Sequence, residues 1–199
     1  DLLDDVAVLV GDFMYTRSFQ MMVRIGNLRV MQALASAANT LSEGEVIQMK
    51  NAHDPSVDEA RYLKVIERKT SVLFAAAAKM ASAIANASEE AEDALVNYTM
   101  ALGNAFQIAD DILDYSGNSQ ESGKQIGADF AEGKVTLPVI YAMQSACAED
   151  RCFIEEAIRK GHGDFEKITA IIQKSGAIEK CKARAQEELE KGKLALAVL

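Results

Sequence analysis

Tryptophan is absent from this chain of 199 residues, and proline occurs twice, histidine twice and cysteine three times. With only Pro55 and Pro138 as breakers, long stretches are free to be helical. Cys147, Cys152 and Cys181 are odd in number and fit no C-x-x-C spacing, which excludes a disulfide framework or a structural zinc site and suggests a reducing cytoplasmic setting. His53 precedes a turn and His162 lies between Gly161 and Gly163. Neither has a partner at helical spacing for zinc or a triad, so both read as exposed loop residues. Long apolar runs are lacking as well: Val72 to Ala87 is interrupted by Lys79, Ser82 and Asn86, short of the roughly 18 residues of a membrane span. The opening Asp-Leu-Leu-Asp-Asp has no basic region or cleavage site, so no signal peptide is expected.

Positive charge is also scarce. Thirty acids stand against 21 Lys and Arg, a formal charge of -9, with no basic cluster of the kind that binds a phosphate backbone. Nucleic acid is therefore not the expected partner; such an excess keeps a protein soluble or waits for a cation.

What is present is helical periodicity. Apolar residues recur at three and four, Ala, Leu, Met, Glu, Lys and Gln abound, and no alternation of period two competes. The pattern predicts helices over Val8 to Arg24, Leu28 to Lys50, Val57 to Ala87, Glu89 to Tyr115, Leu137 to Cys147, Asp150 to Lys160, Asp164 to Lys174, and from Ala177 onward. Ser56 with Glu59 reads as a capping box, and Ser88 before Glu89, Glu90 and Glu92 as a helix start. Met21, Met22, Met31 and Met49 read as core filler. The fold class expected is all-α, with one irregular, glycine-bearing segment from Ser116 to Lys134; loops that long are usually functional.

The helix before that segment is the most informative. At about 100° per residue, Gln107, Asp110, Asp111 and Asp114 share one arc, with Gly103 a turn earlier, and apolar residues fill the remainder. Like charges at these spacings repel. No Lys or Arg relieves them anywhere from Met80 to Gly123, a span holding eight acids. The stripe reads either as an acidic surface or as a site for a hard divalent cation, and the missing counter-charges favour the cation. Downstream, Lys124 and Lys134 flank Gly127 and Gly133. Alone they read as surface lysines; beside a carboxylate stripe they read as a clamp for diphosphate oxygens. Ala75 to Ala78 allow close helix packing or leave room for a ligand.

Phe106-Gln-Ile-Ala-Asp-Asp-Ile-Leu-Asp-Tyr115 and the loop from Gly123 to Pro138 resemble the second aspartate-rich motif and lysine loop of the trans-polyprenyl diphosphate synthases. The likeness extends through Val8-Leu-Val-Gly-Asp-Phe-Met-Tyr-Thr-Arg-Ser-Phe-Gln20, Glu43-Gly-Glu-Val-Ile-Gln48 and Arg68-Lys-Thr70, nearest in character to the octaprenyl-making bacterial branch. It implies an isoprenoid-synthase-type helical bundle around a central cavity, working as a homodimer with Mg²⁺. It implies that Asp110, Asp111 and Asp114, with Asp4 and Asp5 from a first motif, hold the metal. Lys69, Thr70, Gln107, Lys124 and Lys134 would contact or position the allylic diphosphate, with Lys69, Asp110 and Asp111 in the catalytic role. The implied reaction adds isopentenyl diphosphate to an allylic primer such as farnesyl diphosphate, giving a long all-trans chain, octaprenyl in expectation, for a quinone side chain.

The departures are specific. Asp4-Asp5-Val6 runs almost directly into Ala7-Val8-Leu9-Val10-Gly11-Asp12-Phe13, so residues 1–199 read as one helical domain that lacks the family's N-terminal helices and the loop after Val6. Ala128 stands where the family commonly has an acid, with Asp129 beside it. A non-catalytic small subunit of a heteromeric synthase and a class I terpene cyclase are the rival readings. The second D-D-x-x-D motif and the loop lysines speak against both.

Overall fold

A computed structural model describes the backbone of residues 2–116 and 127–199, with side chains from residue 6 onward. Among the described residues there are helices and no strands. Helix α1 (Leu2–Ile25) stops at Gly26, whose φ of 68° is the left-handed conformation that ends a helix. Helix α2 (Leu28–Asn51) starts on Asn27, whose side-chain oxygen accepts from Arg29 N while its amide donates to Ala83 O, tying this corner to a later helix.

Helix α3 (Glu59–Ile66) continues through a π-helical turn (Glu67–Ser71) into α4 (Val72–Ala85). The expected capping box at Ser56 and Glu59 does not form. Ser56 donates from its N–H and hydroxyl to Asp54 Oδ1, a tight local turn that leaves Asp58 to cap the helix by accepting from Arg61 N. Asn86, at φ 52°, ends α4, and Ser88 Oγ accepts from Ala91 N at the start of α5 (Glu89–Ser116), as the sequence led one to expect. The chain then runs through the short α6 (Ala128–Ala131), α7 (Leu137–Ser145), α8 (Ala148–Lys160), α9 (Phe165–Lys174), α10 (Ala177–Ala195) and a terminal 3₁₀ turn (Leu196–Val198).

Helix α5 is the axis: α10 and α4 pack along it, α2 lies behind α4, and α7 crosses α10. The core lies on the C-terminal side, where Ile108, Leu137, Val139, Ile154, Ile168 and Ile172 are fully buried. Cys181 is buried there too, and burial pushes its thiol up to about 12, which keeps it protonated and inert. The N-terminal side differs. Met21 and Met49 are exposed, not core filler, because their faces of α1 and α2 meet no described element. Phe13, Met14 and Leu28 are open in the same way. No helix of the described residues is long and apolar enough to cross a membrane.

Candidate active site

Four segments converge on one pocket of about 80 Å³: the C-terminal end of α2, α3 with its π turn, the middle of α5, and the loop around α6. Its polar lining comes mainly from Gln48, Lys69, Thr70, Gln107, Asp111 and Lys134, opposite an apolar wall of Val57, Val65 and Ile66.

A chain of hydrogen bonds orders the acidic side. Thr70 Oγ1 donates to Gln107 Oε1 (2.7 Å), Gln107 Nε2 donates to Asp111 Oδ1 (2.9 Å), and the Tyr62 hydroxyl donates to Asp111 Oδ2 (2.6 Å). With Asp111 ionised, the Gln107 amide turns its nitrogen to the carboxylate and its oxygen to Thr70. Asp111 is 3 % exposed. Burial pushes its carboxyl up to about 7, against the hydrogen bonds from Tyr62 and Gln107 that pull it down, while the Asp129 and Asp110 charges add to the rise. Burial also drives the Tyr62 phenol well above its ordinary value, helped by the Asp111 charge beside it, so the phenol remains a donor.

The lysines stand opposite. Lys69 Nζ reaches Gln48 Oε1 at 2.8 Å and Glu45 Oε1 at 3.1 Å. Lys134 Nζ sits 2.8 Å from both Asp129 Oδ1 and Glu132 Oε2. Burial alone would lower Lys134, but these two carboxylates outweigh it and hold the ammonium above its ordinary range.

Of the stripe read from the sequence, Asp111 faces inward and Asp110 is half-buried. Asp114 turns toward the loop, accepting from Gly127 N (3.1 Å) and Asp129 N (3.3 Å). It thereby caps α6, and burial with the Asp129 charge raises its carboxyl despite those amides. The structure thus brings Lys69, Thr70, Gln107, Asp111 and Lys134 to one pocket. Asp4 and Asp5 fall on the first turns of α1, but their side chains lie outside the described residues, as does Lys124. Sequence reasoning gave no role to Tyr62 or Gln48; Tyr62 lies inside a long helical stretch with nothing to single it out, and Gln48 reads only as the end of a motif.

The donor set suits a hard cation shared with a ligand. Among the described residues no three His, Cys, Asp or Glu side chains converge to cage an ion. Asp111 is nevertheless a buried carboxylate whose hydrogen-bond partners, Tyr62 and Gln107, are both neutral. Mg²⁺ ordinarily takes one or two carboxylates and completes its shell with water and phosphate oxygens, which is what such a site offers.

Comparison with known proteins bears on the family and the fold. The chain is 42% identical over 195 residues to the octaprenyl diphosphate synthase of Escherichia coli, covering 97% of this chain and 60% of that protein. It superposes with a TM-score of 0.92 on a polyprenyl synthase from Caulobacter crescentus complexed with calcium and isoprenyl diphosphate, at 38% identity, covering 96% of this chain and 59% of that one. A decaprenyl diphosphate synthase from Rhodobacter capsulatus superposes at 0.85 with 43% identity, over 96% of this chain and 59% of that one. The chain therefore spans about three-fifths of the length of these relatives. The polyprenyl synthetase family model matches residues 3–175, and with its helical bundle and acid-and-lysine pocket the chain belongs to that family.

Proposed function

We propose that this chain forms the catalytic domain of a trans-prenyltransferase that condenses isopentenyl diphosphate onto an allylic diphosphate. The observation that carries the reading is Asp111: a buried carboxylate held by neutral donors, in a pocket that also holds Lys69 and Lys134. Asp110 and Asp111, with Asp114 at the loop, would hold Mg²⁺, as would Asp4 and Asp5 in the proposal taken from the family. Such a cation supplies charge stabilisation to a departing diphosphate.

The chain's own residues do the remainder. Lys69 and Lys134, joined in the proposal by Lys124, offer point charges to diphosphate oxygens as the allylic C–O bond breaks. Thr70 and Gln107 form a fixed edge beside them that orients the ligand. Val57, Val65 and Ile66 keep that end of the pocket apolar, which limits capture of an allylic cation by water. The isopentenyl double bond then attacks, a proton is lost to the diphosphate side, and no protein nucleophile is required.

Farther along, a groove of about 340 Å³ between α2 and α4 combines the small side chains of Ala33, Ala37, Ala75 and Ala76 with the charged Arg29, Lys79 and Glu92. The assignment of an octaprenyl product, for a quinone side chain, rests on the likeness to octaprenyl diphosphate synthase. The exposed apolar faces of α1 and α2 support a homodimer, and three free cysteines suit the cytoplasm. The intact second motif and loop lysine disfavour a non-catalytic partner subunit. The test is incubation of the intact protein with farnesyl diphosphate, labelled isopentenyl diphosphate and Mg²⁺, followed by chromatography. Linear long-chain diphosphates are expected; a cyclic hydrocarbon, or no product, refutes the reading.

A further inference from the structure

The residues that present Lys69 and Thr70 to the pocket lie on a π turn, an extra residue in an otherwise continuous helix. Such turns are rare and recur at functional sites, and this one is packed against from outside. Here the support comes from three sides. On the α2 side Gly44 lies so close that a Cβ there would stand 3.1 Å from Lys69 N. On the α5 side a Cβ at Gly103 would stand 2.6 Å from Ser71 Cα, closer than real atoms allow. The third support is polar. Ser71 Oγ, fully buried, donates to Asn104 Oδ1 at 2.6 Å, and Asn104 Nδ2 donates to Glu188 Oε2 at 3.1 Å. Glu188, itself 5 % exposed, lies on α10, beyond the stretch matched by the family model. Its other oxygen accepts from Arg184 (2.6 Å) and Lys191 (2.7 Å), so the carboxylate is charge-compensated and fixed.

We propose that Glu188 and Asn104 are positioning residues for diphosphate binding: the relay from α10 through Asn104 to Ser71 sets the register of the π turn and thereby aims Lys69 and Thr70 into the pocket. The alternative is a buried polar cluster that stabilises the bundle and nothing more. Two features favour positioning. The relay ends on Ser71, directly after Thr70 in the chain, and Thr70 is the residue that fixes the Gln107 amide against Asp111. The glycines on either side leave the turn no room to settle elsewhere while the Ser71 bond is kept.

This inference rests on the proposed diphosphate site, so the test reads binding apart from turnover. Inorganic diphosphate with Mg²⁺ is titrated calorimetrically into the intact protein and its Ser71→Ala, Asn104→Ala, Glu188→Ala and Glu188→Gln variants, well below each variant's Tm. Ser71→Ala removes one hydroxyl with little change of volume and should fold. It and Asn104→Ala should raise the Kd about tenfold, the size of effect a misaimed binding group produces. Hydrogen exchange should quicken at the amides of the π turn and not across α10. Glu188→Ala should weaken binding similarly, and Glu188→Gln, which keeps an acceptor for Asn104, should recover most of the loss despite a lower Tm. Variants that lose Tm yet bind diphosphate as the wild type does overturn the positioning role and leave the site reading standing. A wild type that binds no diphosphate removes both.

Discussion

Tyr62 and Asp111 meet at 2.6 Å although 49 positions separate them in the chain. Replacing Tyr62 by Phe removes one of the two donors to a carboxylate that is 3 % exposed, at a cost of about 1–3 kcal/mol for the acceptor left short. The expected outcome is a lower Tm in thermal denaturation together with a lower kcat, since Asp111 would no longer be held in place; an unchanged kcat would show that the phenol serves stability alone. Asp110→Ala is the complementary case. At a half-buried position it should leave circular dichroism and Tm nearly intact and cut turnover by orders of magnitude, and near-normal turnover would remove the metal role. Asp110 and Asp111 were legible in the sequence because helical period places them on one face without Lys or Arg. Tyr62 was not, because a phenol four positions before Ile66 looks like any core residue until its distant partner is seen.

The elements show why some local rules held and others gave way. Helix α5 begins where its cap indicated, at Ser88, because the capping contact lies within a few residues. The π turn was invisible, since the groups packed against it, Gly44 and Gly103, lie on two other helices. Those glycines also make a prediction with a sign to settle. Alanine normally gains about 0.5–1 kcal/mol over glycine inside a helix, so Gly11→Ala, with nothing within 4 Å of its new Cβ, should raise Tm. Gly103→Ala should lower it, because the clash is with the backbone of Ser71 and overpacking of this kind costs about 1–3 kcal/mol. At this chain size each kcal/mol moves Tm by about 2–4 °C. Helix α10 adds a pH dependence. Burial would raise Glu188, but hydrogen bonds from Lys191, Asn104 and Arg184 outweigh it and hold its carboxyl below the ordinary value of 4.5. Its contribution to stability is therefore complete above that ordinary value and is lost as pH falls through the lowered one. Glu188→Gln should flatten the acid limb of a Tm-against-pH curve, and an unchanged limb would contradict this assignment.

At the scale of the molecule, burial is uneven: the core gathers around α5, α7 and α10, while α1 and α2 leave Phe13, Met14, Leu28 and Met49 open. Contiguous exposed apolar surface on this scale usually marks an interface. Sedimentation of the intact protein should give twice the monomer mass, and Phe13→Glu with Met14→Glu should halve it; a monomeric wild type would refute the homodimer. The all-α architecture was legible from period alone, whereas the direction each helix faces depends on how its neighbours are phased. The π turn takes up an extra residue without changing that phase. Buried positions step by four from Tyr62 to Ile66, by five to Ser71, and by four again to Ala75. Deleting the exposed Glu67 would remove no buried contact and would even regularise the hydrogen bonding of the helix. The step across the turn would become four, so Ala75, Ala78 and Ser82 would keep facing α5. What the extra residue changes is local: it sets how the stretch carrying Lys69 and Thr70 bulges toward the pocket, so a one-residue deletion should leave the bundle folded and weaken diphosphate binding.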